Sequence, residues 1–191
     1  MSAEISSSPT PTPSPSLQIR PSTEADLPAI QAIYEHAVLH GTGTFETEVP
    51  DLAEMTRRRA EVLGRKLPWL VVQRGEQVLG YAYANYFRPR LAYRFCLEDS
   101  IYLHPDSHGQ GLGKLLLAEL MARCEALGAR QMLAVIGDAG NKGSIGVHSA
   151  MGFEDTGTLK SAGWKFGRWL DVVLMQRQLG QGDQSSPEAT P

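Results

Sequence analysis

The segment Ile101-Tyr102-Leu103-His104-Pro105-Asp106-Ser107-His108-Gly109-Gln110-Gly111-Leu112-Gly113-Lys114 constrains this chain more than any other. A short apolar strand runs into a glycine-bearing turn, and the turn opens a helix. That helix carries Leu112, Leu116, Leu120, Cys124 and Leu127 on one stripe, and Gly128 stops it. Glycine reaches φ > 0 and lets backbone approach a ligand closely. The first amides of a helix lack intrahelical acceptors and sit at the positive end of its dipole. Together these features suit an anion such as a pyrophosphate. Two familiar phosphate loops do not fit. A P-loop needs four residues between its glycines and Ser or Thr after the Lys, whereas only three separate Gly109 from Gly113, and Leu115 follows Lys114. Glycines at 109, 111 and 113 also miss the Gly-x-Gly-x-x-Gly dinucleotide pattern. A plain strand-to-helix turn has the same spacing, so on spacing alone the two readings stand level.

Periodicity sets the surroundings. Leu17 to Arg20 alternates like a strand, and Thr23 to His40 has helical spacing, with Ser22 or Thr23 as N-cap and Gly41 as stop. Gly41 to Glu46 is a loop, and Asp51 to Gly64 is a second helix, heavily charged on one side. Trp69 to Gln73 and Val78 to Phe87 form a hairpin, Arg88 to Phe95 a basic, aromatic loop, and Leu97 to Leu103 the strand before the glycine turn. Gln131 to Ile136 is an apolar strand. Asn141 caps a short helix to Ala150, and Phe153 to Lys160 and Trp164 to Arg177 close the chain as strands. This α/β order predicts a mixed central sheet with helices on both faces.

The chain has 191 residues, enough for one well-buried domain. Residues 17–179 form that domain, between Ser/Pro/Thr-rich tails at 1–16 and 180–191 too poor in apolar surface to order. A net charge of -3 and no basic stripe argue against nucleic acid. No apolar run approaches the roughly 18 residues of a membrane span. Two cysteines without an export signal suggest a reducing cytoplasm. His36 and His40 have helical spacing for a metal, but no third ligand accompanies them, so no metal is expected.

Gly111-Leu112-Gly113 resembles the second half of the pyrophosphate loop of the GNAT acetyltransferases, with His108 where that loop has Gln or Arg. Three further segments are similar to the phosphinothricin and methionine sulfone N-acetyltransferases: Gly41-Thr42-Gly43-Thr44-Phe45-Glu46, Leu97-Glu98-Asp99-Ser100-Ile101-Tyr102 and Gly163-Trp164-Lys165-Phe166-Gly167-Arg168-Trp169-Leu170-Asp171. The likeness covers about Ile19 to Leu179. It implies the GNAT fold, a sheet of about seven strands splayed between the fourth and fifth. It also implies acetyl-coenzyme A as co-substrate, a ternary complex and a homodimer. The acceptor would be a small amino-acid-like amine; the alternatives are a protein or polyamine acceptor, or a non-catalytic acetyl-coenzyme A sensor. Phe166 stands where phosphinothricin enzymes tend to carry His, which points towards the methionine sulfone and sulfoximine branch.

Residue by residue, the resemblance implies Glu98 as the base. Its alternative is a salt bridge to Arg94 or Lys114. Backbone at Ile101, Tyr102 and Leu103 would hold the coenzyme arm and the oxyanion. The turn His108, Gly109, Gln110, Gly111, Leu112, Gly113 and Lys114 would hold the pyrophosphate, with Asn141 and Ser144 at the next helix start as further coenzyme contacts. His148 would protonate the departing thiolate, or else pack in the core beside Ile145 and Met151. Phe45, Glu46, Arg90 and Tyr93 would contact the substrate. Arg90 could grip a carboxylate through paired hydrogen bonds, and its alternative is a solvated basic loop.

Overall fold

The structure is a computed structural model that describes residues 16–187. Of the two predicted tails, 1–15 and 188–191 lie outside the described residues. The stretch from Gly180 begins with turns, and Arg130 Nη1 donates to Ser185 Oγ at 3.1 Å.

Among the described residues seven strands make one sheet in the order β1-β2-β3-β4-β5-β7-β6. They are β1 (Leu17–Pro21), β2 (Trp69–Arg74), β3 (Gln77–Tyr86), β4 (Cys96–Leu103), β5 (Gln131–Gly137), β6 (Glu154–Lys165) and β7 (Arg168–Gln178). Among the described residues four α-helices accompany them: α1 (Leu27–His40), α2 (Leu52–Gly64), α3 (Leu112–Ala126) and α4 (Lys142–Ala150). Every neighbouring pair is antiparallel except β4–β5, which the α3 crossover makes parallel. Alternation along β4 separates the two faces. Tyr102 meets Tyr34 of α1 edge-on at 5.0 Å, so Glu98, Ser100 and Tyr102 face α1 and α2. Leu97, Asp99 and Ile101 face α3 and α4, where His148 reaches Asp99.

The helices begin where their caps dictate. Thr23 and Asp26 form a capping box over a 3₁₀ turn at Glu24–Asp26, and Pro28, which lacks an N–H, fits the first turn of α1. The predicted start at Thr23 is therefore this turn, with the α-helix proper from Leu27. Arg20 grips Asp26 through two 2.7 Å bonds, and that pairing lowers the Asp26 carboxyl to about 2. Asp51 caps α2 by accepting from Glu54 N.

Two sequence readings need correction. Leu127 leaves the α3 stripe: it is 56% exposed, because the helix closes at Ala126 and Leu127 becomes its cap. The predicted break between the last two strands at Ser161 to Gly163 is a bulge inside β6. Ser161, at φ 50, donates its N–H to Asp171 Oδ1, and Lys160 pairs with the same carboxylate. The hairpin turns instead at Phe166 and Gly167, both with positive φ, as a two-residue turn of this hand requires. Trp164 and Lys165 thus end β6 rather than begin β7.

Candidate active site

The site is built where β4 and β5 part. β4 pairs with β3 from Leu97 to Leu103, but its pairing with β5 ends at Asp99↔Ala134. Beyond that rung β5 pairs only with β7, as far as Gly137. An opening therefore lies between Ser100–Leu103 and Val135–Gly137, and backbone groups on its two edges lack a strand neighbour among the described residues. Glu98 stands next to the last rung on the α1 face. It is half-buried beside an aromatic floor: Trp69 stacks on Tyr83 at 4.3 Å, and Tyr81 lies 5.3 Å from Tyr102. Burial pushes the Glu98 carboxyl up, Asp99 pushes it further, and Arg88 only partly opposes them. Lys114, named with Arg94 as a salt-bridge alternative for Glu98, is exposed in the first turn of α3.

At the far end of β4, His104 N donates to Leu79 O and its Nδ1 accepts from Asp106 N, so the turn is fixed as the strand ends. His108, Gly109 and Gln110 are exposed, and Gln110 is held by Arg74 and by Asp106 O. Gly109 and Gly111 both have positive φ, and a Cβ at either would meet open space. The first intrahelical acceptor of α3 is Gly111 O, bonded by Leu115 N, so the amides of Leu112, Gly113 and Lys114 lead the helix. Gly113 is buried against Val147, and this close contact fixes α4 beside the turn. An open glycine cradle, leading amides and a parted strand pair fit a molecule with a pyrophosphate and a long arm able to pair with backbone.

Loop 41–46 borders the opening on the α1 face. Phe45 lies on two glycines: a Cβ at Gly163 would come within 2.2 Å of its ring, and one at Gly137 within 2.8 Å. Lys165, buried at 4% exposure, donates to Gly41 O at 2.9 Å and Thr44 O at 2.8 Å. Burial lowers its pKa, against the pull of Glu46. Glu46 is held by Arg58 at 2.6 and 3.2 Å and accepts from Tyr34 OH at 2.9 Å, so much of its charge is already answered within the protein. Arg90 and Tyr93 lie in the exposed loop between β3 and β4, and Phe87 N closes that loop onto Cys96 O. Tyr93 packs edge-on against Phe87.

On α4, Asn141 is the cap, accepting from Ser144 N at 3.1 Å, and its side-chain amide comes close to Gly43. The expectation of His148 as a proton donor meets a ring whose nitrogens are both engaged. Nε2 lies 3.0 Å from Asp99 Oδ2 and Nδ1 lies 2.8 Å from Ser144 O. The sequence reading brought Glu98, the turn and loop 41–46 to one opening, but it missed Lys165, Arg58 and Asp99. Of these only Asp99 left a signal, as a carboxylate on the inward parity of an apolar strand. Among the described residues no group of three or more His, Cys, Asp or Glu is arranged to hold a metal.

Comparison with known proteins agrees with this geometry. The chain matches the Acetyltransferase (GNAT) family over residues 30–153. It is 55% identical over 170 residues to a phosphinothricin N-acetyltransferase of Alcaligenes faecalis, covering 89% of this chain and 86% of that one. It is 40% identical to an L-methionine sulfoximine/L-methionine sulfone acetyltransferase of Pseudomonas aeruginosa, covering 86% and 95%. These identities do not follow the branch that Phe166 suggested. A crystal structure of a phosphinothricin acetyltransferase from Sinorhizobium meliloti in complex with acetyl-coenzyme A superposes with a TM-score of 0.87 at 49% identity, covering 90% of this chain and 92% of that one. With the family's sheet, its parted strands and its glycine turn all present, the chain belongs to the GNAT acetyltransferases.

Proposed function

We propose that the chain moves the acetyl group of acetyl-coenzyme A to the amino group of a small amino-acid-like molecule, of the phosphinothricin or methionine sulfone and sulfoximine kind. The observation that carries this reading is the opening between β4 and β5, with raised Glu98 at one end and the glycine cradle at the other. The similar proteins named above act on such substrates, which supports the choice of acceptor. When bound, the coenzyme supplies an acetyl thioester. The pyrophosphate is received by the turn at residues 108–114, and Asn141 and Ser144 border the coenzyme from α4. Glu98 takes a proton from the substrate ammonium, directly or through a water. An α-amino group near pKa 8 gives its proton to an ordinary carboxylate only uphill, and each unit by which burial raises Glu98 removes about 1.4 kcal/mol of that slope. The backbone amide of Leu103 faces the charge that develops on the thioester oxygen, since strand amides alternate sides and His104 N is turned towards β3. Phe45 forms a wall for the substrate, Glu46 and Tyr93 border it, and Arg90 attracts its carboxylate.

The protein acts as a homodimer in this reading. Leu159, Trp164, Phe166 and Trp169 are each more than half exposed on the edge hairpin β6–β7, an apolar patch suited to a second copy. The unpaired thiols Cys96 and Cys124 suit a cytoplasmic setting. The test is thiol release from acetyl-coenzyme A with methionine sulfone, methionine sulfoximine, phosphinothricin, ordinary amino acids, a polyamine and a peptide, with sedimentation to give the assembly state. Turnover confined to the amino-acid analogues is expected. Turnover only with peptide or polyamine overturns the acceptor, and coenzyme binding without turnover of any amine favours a sensor.

A further inference from the structure

Asp99 and His148 form a buried pair behind the strand that carries Glu98. Their side chains are 2% and 5% exposed, and Nε2 lies 3.0 Å from Oδ2. A carbonyl oxygen only accepts, so His148 Nδ1 must donate to Ser144 O at 2.8 Å. An ionised carboxylate also only accepts, so Nε2 carries a proton as well. With both nitrogens protonated the ring is an imidazolium. Burial alone would push its pKa down. The hydrogen bond and charge of Asp99, with the Ser144 carbonyl, outweigh that and leave it raised.

The placement of the pair gives it a task. Asp99 is the last rung on which β4 and β5 still pair. His148 belongs to α4, whose capping Asn141 abuts loop 41–46 and whose Val147 packs on Gly113 at the start of α3. The Asp99–His148 bond therefore ties α4 to β4 at the point where the sheet opens. Asp99 Oδ1 has no partner among the described residues, so the carboxylate is only half satisfied. Its charge is felt by Glu98 beside it and by Cys124 of α3, whose thiol is pushed up to about 12 by burial and then by Asp99. Phe153 closes the ring edge-on at 5.0 Å and brings no charge.

We propose that Asp99 is a positioning residue: it holds His148 as a buried imidazolium and so seats α4 beside the opening that receives acetyl-coenzyme A, touching neither substrate. With no ring nitrogen left over, His148 is a tie rather than the proton donor to the thiolate. This rests on the reading of the opening as the coenzyme site, and the test separates the two. Long-range ¹H–¹⁵N spectra of the full, ligand-free protein across pH 6–8 (a working range for histidine titration) report the His148 ring directly. A titration midpoint above that of an unpaired histidine is expected, and a ring that loses its proton at or below that point overturns the pair whatever the enzyme does. Asp99→Asn should then lower the His148 midpoint and weaken acetyl-coenzyme A binding by about tenfold. The KM for the amine should stay near wild type, and the acid limb of the kcat/KM profile should move to lower pH. Unchanged coenzyme affinity in Asp99→Asn overturns the positioning role. If that variant fails to fold, His148→Gln is expected to lose the same affinity, and wild-type affinity there overturns the role equally. A wild-type protein that binds no acetyl-coenzyme A defeats the site reading and with it the positioning role, while the spectra still decide the charge of the pair.

Discussion

The ammonium of Lys165 donates to the carbonyl oxygen of Thr44, 121 positions away in sequence, at 2.8 Å. The same group donates to Gly41 O and stands over the Phe166 ring at 4.9 Å. One side chain of the β6–β7 hairpin therefore holds the loop that carries Phe45 at two points, Gly41 and Thr44. Burying a lysine is costly, and here two carbonyls and an aromatic face replace the lost water. Lys165→Met should leave buried Thr44 O without a donor, a loss of about 1–3 kcal/mol. Urea unfolding should show a lower midpoint at unchanged slope. The KM for the amine should rise more than that for acetyl-coenzyme A.

Phe45 on its two glycines makes a second test. A methyl at Gly163 cannot coexist with the ring where it stands, since the Cβ would lie 2.2 Å from Cε2 and 2.3 Å from Cδ2. Gly163→Ala is expected to displace Phe45 and raise the KM for the amine about tenfold, with acetyl-coenzyme A affinity near wild type. Phe45→Ala removes the same wall. The double variant should therefore be no worse than the poorer single one, a non-additivity that kinetics on all four proteins would read.

The elements that repeat a pattern were legible in the sequence. The glycine turn, the buried Leu112, Leu116, Leu120 and Cys124 of α3, and Asn141 as cap all follow from local rules. The failures are non-local. Ser161-Ala162-Gly163 reads as a turn, yet Asp171 across the hairpin makes it a bulge and moves the turn to Phe166-Gly167. Nothing local marks Lys165 as buried, and only the folded position of loop 41–46 buries it. Glu46 reads as a substrate contact, and its ion pair appears only when α2 brings Arg58 to it. Partners on another element decide each of these: Asp171 is 10 positions from Ser161, Arg58 is 12 from Glu46, and Lys165 is 121 from Thr44, and no local pattern pairs them.

The turn can be probed without touching the substrate side. Gly111 is in the left-handed region at φ 78 and caps α3. An alanine there has open space for its methyl but carries about 1–2 kcal/mol of backbone strain. The turn can shed that strain by relaxing in the free protein, so the coenzyme must restore it on binding. Gly111→Ala should weaken acetyl-coenzyme A by about five- to thirtyfold in calorimetry. The KM for the amine should hold, the reverse of the pattern expected for Gly163→Ala.

Glu98 links stability to activity. Its carboxyl is raised above the ordinary 4.5 by burial first and Asp99 second, and the base must be ionised. Activity should therefore rise with pH along a limb set by Glu98, centred above 4.5. Glu98→Gln should abolish that limb and lower kcat/KM by about 10²- to 10⁴-fold, the usual worth of a positioned base. The same shift has a sign for folding. With the folded pKa above the unfolded one, the native state holds more protons between the two values. Stability is fully present below the unfolded pKa and is lost as pH rises through the folded one, because the fold must then house a half-buried charge. Glutamine removes that charge. The Glu98→Gln variant should melt higher than wild type at pH 8, and the difference should close as pH falls to about 4. Equal melting temperatures at pH 8 would show that Glu98 is not raised. A retained acid limb in the variant would assign the base elsewhere.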